Sequence, residues 1–314
     1  MKSNKPEIGI IFIGIGKYIM FFDAFYDLCE KNFLHNCKKN YYLITDSNNS
    51  FKDLGDNITV IKEKDYGWPY NAMKKFEFFI KNKDVIGKDN SYIFYFNADA
   101  LIISPITEEE FLPDKENGKK LICVKHSVHT HKIYDGLPFE KMKESTSYVS
   151  PEEFDNYMVS GIIGGRKYEF FKHFEEMDKL LKKDLNSNII PVWHDESLFN
   201  SYVFKNKELF RILPRTFCFS IEDVYPTEEE EIKIAIRPKY EVGGRPFLRD
   251  RTGIESDYRF TDSECDFIEM FNPDDNIARE RIRHKGNKMF FCKQLVEKEH
   301  KLLNNLLKKN TKKE

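Results

Sequence analysis

The chain reads as an α/β protein built on a doubly wound, mostly parallel sheet, and three observations predict it. Short runs that are almost wholly apolar, IGIIFIG, YYLIT and SYIFYF, have the character of strands buried on both faces. They alternate with segments of helical spacing, the first from Tyr18 to about His35. The strands of the first half stop at short polar residues, Asp46 after YYLIT and Asn97-Ala98-Asp99 after SYIFYF. In such sheets ligands sit outside the carboxyl ends of the strands, so those stops mark the functional edge.

In chain order, IGIIFIG is the first strand, and Phe21, Phe22, Phe25, Leu28 and Cys29 recur at helical spacing after it. YYLIT (Tyr41–Thr45) and NITVIK (Asn57–Lys62) are strands, and Trp68-Pro69 opens a helix over Tyr70–Lys81. KKLICVKH is a further strand, YMVSGIIGGRKYEFF a glycine-marked strand running into a helix, and HDESLFNSYVF the start of an amphipathic helix. Gly164-Gly165 reads as a turn before the helix. No internal repeat or low-complexity linker interrupts the pattern. The division expected is one domain over residues 1–250 and a mostly helical, basic-ended extension over 251–314.

The 314 residues, 40% of them apolar, suffice for a large core without staples. Lys plus Arg (50) balance Asp plus Glu (52), so no global field draws the chain to nucleic acid, and an anionic ligand needs a local cationic cluster. Six cysteines without CxxC or CxxH spacing argue against a zinc site and a disulfide framework, with a reducing cytoplasm the simplest home. The apolar run Ile8 to Ile15 is too short to span a bilayer. The tail HKLLNNLLKKNTKKE reads as a solvated helix, with weak contact to the inner face of a membrane or to a partner as the alternative.

Asn97 and Asp99 lie two apart on an extended chain, so both side chains face one side of the sheet edge. Such a pair can serve a diphosphate's metal ion or a ribose hydroxyl, or merely close the strand as turn formers. Trp193-His194-Asp195-Glu196-Ser197 opens a helix, which sets two carboxylates in a first turn that favours negative charge. His126, His129 and His131 form an H-x-x-H-x-H run, weak as a metal signal without a neighbouring Cys or assigned carboxylate.

Taken together, FIGIGKYIMFFDAF, YYLITD, GWPYNAMKKFEFF, YFNADA, YMVSGIIGG, WHDES with Asn200 and Tyr202, and more loosely RPKYEVGGR resemble the family 6 glycosyltransferases. That family includes the blood-group A and B enzymes and α-1,3-galactosyltransferase, and the match is closer to their anchorless bacterial relatives. The stretches run in the family's order from about Ile8 to Arg245, and WHDES is the most specific.

The resemblance implies a GT-A fold and a retaining transfer of N-acetylgalactosamine or galactose from a UDP-sugar to a galactose hydroxyl of a fucosylated oligosaccharide. Asn97-Ala98-Asp99 takes the place of the family's metal-binding Asp-x-Asp. With one carboxylate, Asp99, left for a cation, metal independence is expected, with weak Mn²⁺ stimulation left open. Glu196 matches the carboxylate facing the anomeric carbon and Asp195 a residue gripping donor hydroxyls. Ile13, Ile15 and Tyr18 match the uracil site, and Lys75 a basic residue near the donor, the plain alternative for Lys75 being a solvent-facing helix charge. Val159 and Gly161 fall where A and B enzymes differ, and the small Gly161 favours an N-acetyl group. Trp193 and His126 match acceptor contacts, while Lys239 and Arg245 match the basic pair that closes over UDP, with Gly243-Gly244 as hinge. The rivals are a galactosyltransferase acting on unfucosylated acceptors, a nucleotidyltransferase making a UDP-sugar, and a non-catalytic carbohydrate-binding protein.

Overall fold

The central strands form because their apolar side chains are buried on both faces. In the computed structural model, which describes residues 5–49, 51, 54–127, 129, 137–153, 155–220, 231–237, 239 and 248–249, β1 (Glu7–Ile13) has Ile8, Ile10, Ile11 and Phe12 fully buried. It lies between β2 (Lys38–Thr45) and β4 (Tyr92–Phe96), parallel to both. β3 (Ile58–Lys62) extends the parallel side beyond β2. On the other side stand β7 (Met158–Arg166), β6 (Leu121–Lys125) and β8 (Phe210–Leu213), which gives the order β3-β2-β1-β4-β7-β6-β8. Four of the six pairings are parallel, and β7 runs antiparallel to both neighbours. The GT-A-type α/β arrangement is therefore present.

The direction of β7 matters. Because Phe96 at the carboxyl end of β4 is opposite Ile162, the residues before Ile162 reach past that end, beside Asn97. Lys125 at the end of β6 is opposite Met158, so His126 emerges on the same edge. Gly164 and Gly165 are strand residues and not the expected turn. A Cβ on Gly164 would stand 2.2 Å from the Ile93 carbonyl oxygen, and one on Gly165 2.3 Å from that of Lys120.

The first helical segment is a 3-10 stretch, Gly16–Phe21, that passes into α1 (Phe22–Asn32). The single helix expected over Tyr70–Lys81 is two, α2 (Tyr70–Met73) and α3 (Lys75–Lys81), with α4 (Lys83–Ile86) following. A capping box, with Thr107 and Glu110 satisfying each other's backbone N–H groups, starts the short α5 (Glu108–Phe111). α6 (Lys167–Asn186) turns Phe170, Phe174, Met177 and Leu181 inward at helical spacing, packing Phe174 on Phe76 (5.7 Å between ring centroids) and Phe170 on Phe79 (5.4 Å). α7 (Asp195–Lys205) is buried from Ser197 to Phe204. A small second sheet, β5 (Ala100–Ile102), β10 (Ile234–Ile236) and β9 (Phe219–Ser220), is joined directly to the Asn97-Ala98-Asp99 turn.

The chain divides into two units, residues 1–237 and 238–314, and only Lys239, Leu248 and Arg249 of the second are described. The expected boundary at residue 250 and the whole extension over 251–314, with its basic tail, lie outside the described residues, as do Cys265 and Cys292. Cys29, Cys37, Cys123 and Cys218 are buried thiols, none of them in a disulfide among the described residues. Among the described residues no helix is long and apolar enough to cross a membrane.

Candidate active site

The ends of β1, β4 and β6 and the beginning of antiparallel β7 share one edge of the sheet, and the start of α7 is joined to it. At the end of β1, Ile15 is buried with Met73 and Phe76, and Ile13 packs partly buried against the same cluster. The following loop is held by a Gly14 N–H bond to the Ile44 carbonyl (2.9 Å) and a Gly16 N–H bond to Asp46 (2.8 Å). It leads to half-buried Tyr18, whose ring stands 6.1 Å from that of Phe21.

Beneath these groups lies Tyr95, a residue the sequence did not single out. Its hydroxyl donates to Asn97 Oδ1 (2.9 Å), and Lys75 Nζ lies 5.1 Å from its ring centre. Burial pushes that hydroxyl well above the usual tyrosine range, and the charges of Asp195, Asp99 and Tyr18 add to the effect. One buried ring thus has Lys75, Asn97, Asp99, Asp195 and Tyr18 around it.

Asn97 is fixed from a second side. Its N–H donates to the Gly161 carbonyl (2.6 Å), and its side-chain nitrogen would stand 2.6 Å from a Cβ on Gly161. The bare Cα of Gly161 is what admits the Asn97 amide. Asp99 is 3% exposed, and its carbonyl accepts the Arg237 N–H (2.8 Å). Arg237, itself 4% exposed, holds its guanidinium 5.0 Å from the Phe21 ring, a buried cation near the Tyr18 junction that sequence reading passed over.

The carboxylates of α7 meet this group through Lys75. That side chain is not the solvent-facing helix charge considered above: it is 3% exposed, is ion-paired with Asp195, and donates to the Ser160 carbonyl (2.7 Å). Ser160 donates its hydroxyl to Asp195 Oδ2 (2.7 Å) and its backbone N–H to Glu196 Oε2 (2.9 Å), with Oγ also 3.3 Å from Glu196 Oε2. The residue Glu196 is half-buried, but protein encloses its carboxyl. Burial pushes that group up to about 7 and Asp195 adds to the rise, against the Ser160 N–H, Lys75 and the Tyr157 hydroxyl.

Asn200 sets the register of α7 against β7. It accepts from the Met158 N–H (2.8 Å) and donates to the Met158 carbonyl (2.8 Å) and the Glu196 carbonyl (2.9 Å), as a neighbouring strand would. Before the helix, His194 has φ 55° and ψ −123°, a conformation that strains a residue with a Cβ, and its ring lies edge-on to Trp68 (5.2 Å). The turn is tied down by the Trp193 N–H to Ser197 Oγ (2.8 Å) and the Val192 N–H to Glu140 Oε2 (2.8 Å).

Of the remaining residues that the sequence points to, Trp193 is half-buried and Val159 buried. The His126 N–H donates to the Tyr157 carbonyl (2.9 Å), and its ring lies 5.7 Å from the Tyr157 ring and 4.4 Å from that of His129. The two histidines and Tyr157 form an aromatic cluster; His131 is outside the described residues. Half-buried Lys239 belongs to the second unit, and Arg245 and Gly243-Gly244 lie outside the described residues.

The edge therefore brings together Tyr18, Lys75, Asn97, Asp99, Gly161, Asp195 and Glu196, and adds Tyr95, Tyr157, Ser160, Asn200 and Arg237. Only Asp99 supplies a carboxylate at the strand-end turn, and Asn97 Oδ1 already accepts from Tyr95. Among the described residues the strand-end turn thus offers a cation one carboxylate.

Comparison with known proteins agrees with this architecture. Residues 1–243 match the model of glycosyltransferase family 6. The chain is 32% identical to the O-antigen biosynthesis glycosyltransferase WbnI of Escherichia coli, over 74% of this chain and 94% of that protein. It is 23% identical to histo-blood group ABO system transferase 1 of Rattus norvegicus, over 66% of this chain and 59% of the relative. With globoside alpha-1,3-N-acetylgalactosaminyltransferase 1 of Homo sapiens it shares 22% identity, over 64% of this chain and 57% of the relative. The chain thus spans under two thirds of the length of these two mammalian relatives. With a matching family model over residues 1–243 and a relative 32% identical over 94% of its own length, this chain belongs to glycosyltransferase family 6.

Proposed function

We propose that this glycosyltransferase moves N-acetylgalactosamine, or galactose, from a UDP-sugar to the 3-hydroxyl of a galactose in a fucosylated oligosaccharide, with retention at the anomeric carbon. The observation that carries the reading is the buried chain Lys75–Asp195–Ser160–Glu196, set beside Asn97 and Asp99. A retaining transfer needs an ionised carboxylate on the face of the sugar opposite the leaving group, as a nucleophile or as electrostatic support for a same-face attack. Glu196 takes that role, while Asp195, held by Lys75 and Ser160, grips the donor hydroxyls. Tyr18, Ile13 and Ile15 receive the uracil, and Trp193 and His126 the acceptor.

Leaving UDP carries growing negative charge, and Lys239 and Arg245 are the residues that the sequence resemblance assigns to neutralising it. With Asp99 as the lone carboxylate of its turn, the reaction runs without a metal. The test is incubation with UDP-GalNAc or UDP-Gal and either 2′-fucosyllactose or lactose, in EDTA or Mn²⁺, following UDP release and the product's anomeric configuration. An α-linked product on the fucosylated acceptor in EDTA is expected. Hydrolysis alone, transfer only to lactose, or a strict need for Mn²⁺ would each overturn the corresponding part.

Two further outcomes follow. Only ionised Glu196 supports the anomeric centre, so kcat/KM should rise with pH and level off above about 7, where burial has placed its carboxyl. A rate already flat from about pH 5.5 to 8 would contradict this ionisation. Gly161→Ala would force the Asn97 amide out of its place, since the added Cβ falls 2.6 Å from Asn97 Nδ2. Overpacking of this kind costs about 1–3 kcal/mol, so transfer from both UDP-GalNAc and UDP-Gal should fall by about 10- to 100-fold. If UDP-Gal transfer stayed intact while UDP-GalNAc transfer was lost, Gly161 would serve only to leave room for the N-acetyl group.

A further inference from the structure

We infer that the Ser160 side chain is a positioning residue of the transfer site: its single hydroxyl proton, given to Asp195 and close to Glu196, sets the angle at which the two carboxylates face the donor sugar. This rests on the functional reading above and goes beyond it, because that reading requires the carboxylates but not what holds them.

The geometry is specific to this residue. Ser160 is 6% exposed and touches all three charged groups of the cluster with three different atoms: Oγ to Asp195 (2.7 Å), N–H to Glu196 (2.9 Å), and carbonyl to Lys75 (2.7 Å). Its backbone is in turn fixed. Asn200 pins Met158 from α7, and the Gly161 carbonyl accepts the Asn97 N–H (2.6 Å). The hydroxyl is therefore delivered by a strand that cannot shift without moving Asn97 or α7.

Adjacent residues on one helix carry Asp195 and Glu196, and two like charges in so confined a space repel. Lys75 is paired with Asp195, and the Ser160 N–H reaches Glu196. The Ser160 hydroxyl lies within reach of both carboxylates, 2.7 Å from one and 3.3 Å from the other. Among the described residues, Tyr157, on the segment entering β7, also acts on Glu196, with His126 and His129 across the Tyr157 ring and buried His194 just before Asp195.

The test compares wild type with Ser160→Ala and Ser160→Thr, using UDP-sugar transfer across pH and binding of UDP alone. Hydrogen bonds to charged groups are among the stronger ones, so Ser160→Ala should lose roughly 10- to 100-fold in kcat. Its acid limb should move to higher pH, since a donor near Glu196 is gone, while UDP affinity stays within about 2-fold because the nucleotide end is untouched. Ser160→Thr, which keeps the hydroxyl, should recover most of the activity and the wild-type limb. Equal kcat and an equal limb in wild type and Ser160→Ala would overturn the inference, as would a threonine variant no better than alanine. Parallel loss of UDP binding would also overturn it, by marking the role as structural. Absence of transfer by wild type itself would instead sink the functional reading on which this one stands.

Discussion

Replacing Glu196 with glutamine is expected to lower kcat by roughly 10³-fold while leaving the protein folded. The carboxamide keeps an oxygen for the Ser160 N–H, which now donates to Glu196 Oε2 at 2.9 Å, so the local geometry has no reason to collapse. What goes is the negative charge in an enclosed site, where little solvent competes for it. Stability should move the other way. The native carboxyl titrates near 7 against an ordinary 4.5, so the fold favours its protonated form. The cost of burying the charge is absent below the ordinary value and fully present above about 7. At about pH 8, Glu196→Gln should therefore melt at or above the wild-type temperature. Thermal unfolding and initial rates on one preparation check both halves, and a variant retaining wild-type kcat would remove Glu196 from the chemistry.

The second large effect belongs to Lys75. Its side chain and that of Asp195 are 3% and 9% exposed, and removing one member of a buried pair leaves the other charge uncompensated. Lys75→Met should cost about 3–5 kcal/mol in denaturant unfolding and abolish detectable transfer. Adding Asp195→Asn removes the stranded charge, so the double variant should regain much of the stability but none of the activity. If Lys75→Met alone unfolded like wild type, the pair would not be holding the cluster together.

Much of the site was legible because its markers are local. A continuous apolar strand ending in Asn97-Ala98-Asp99, and a Trp-His-Asp-Glu-Ser start to a helix, need no tertiary information to be seen. A signal for the burial of Lys75 is also present in the sequence: at helical spacing it shares a face with Phe78 and Phe79, both fully buried. The direction of β7 was hidden, since an apolar run buried on both faces carries no sign of which way it points, and with it went the placement of Ser160 beside the carboxylates. Tyr95 was hidden for a related reason, its polar tip indistinguishable from the surrounding aromatics. Asn200 offered a signal, an amide midway along a helix whose neighbours are apolar. The two- and three-residue strands β5, β9 and β10, which carry Arg237 to Asp99, were too short to give a period.

The central claim is that Glu196 faces the reacting carbon while the strand-end turn holds the diphosphate side of the same donor. A crystal structure of Glu196→Gln soaked with intact UDP-GalNAc tests it most directly. The account predicts the anomeric carbon within about 4 Å of the side chain at position 196, the sugar hydroxyls on Asp195 and the phosphates toward Asn97 and Asp99. A donor bound with its sugar turned away from α7, or with its phosphates away from the end of β4, would contradict it.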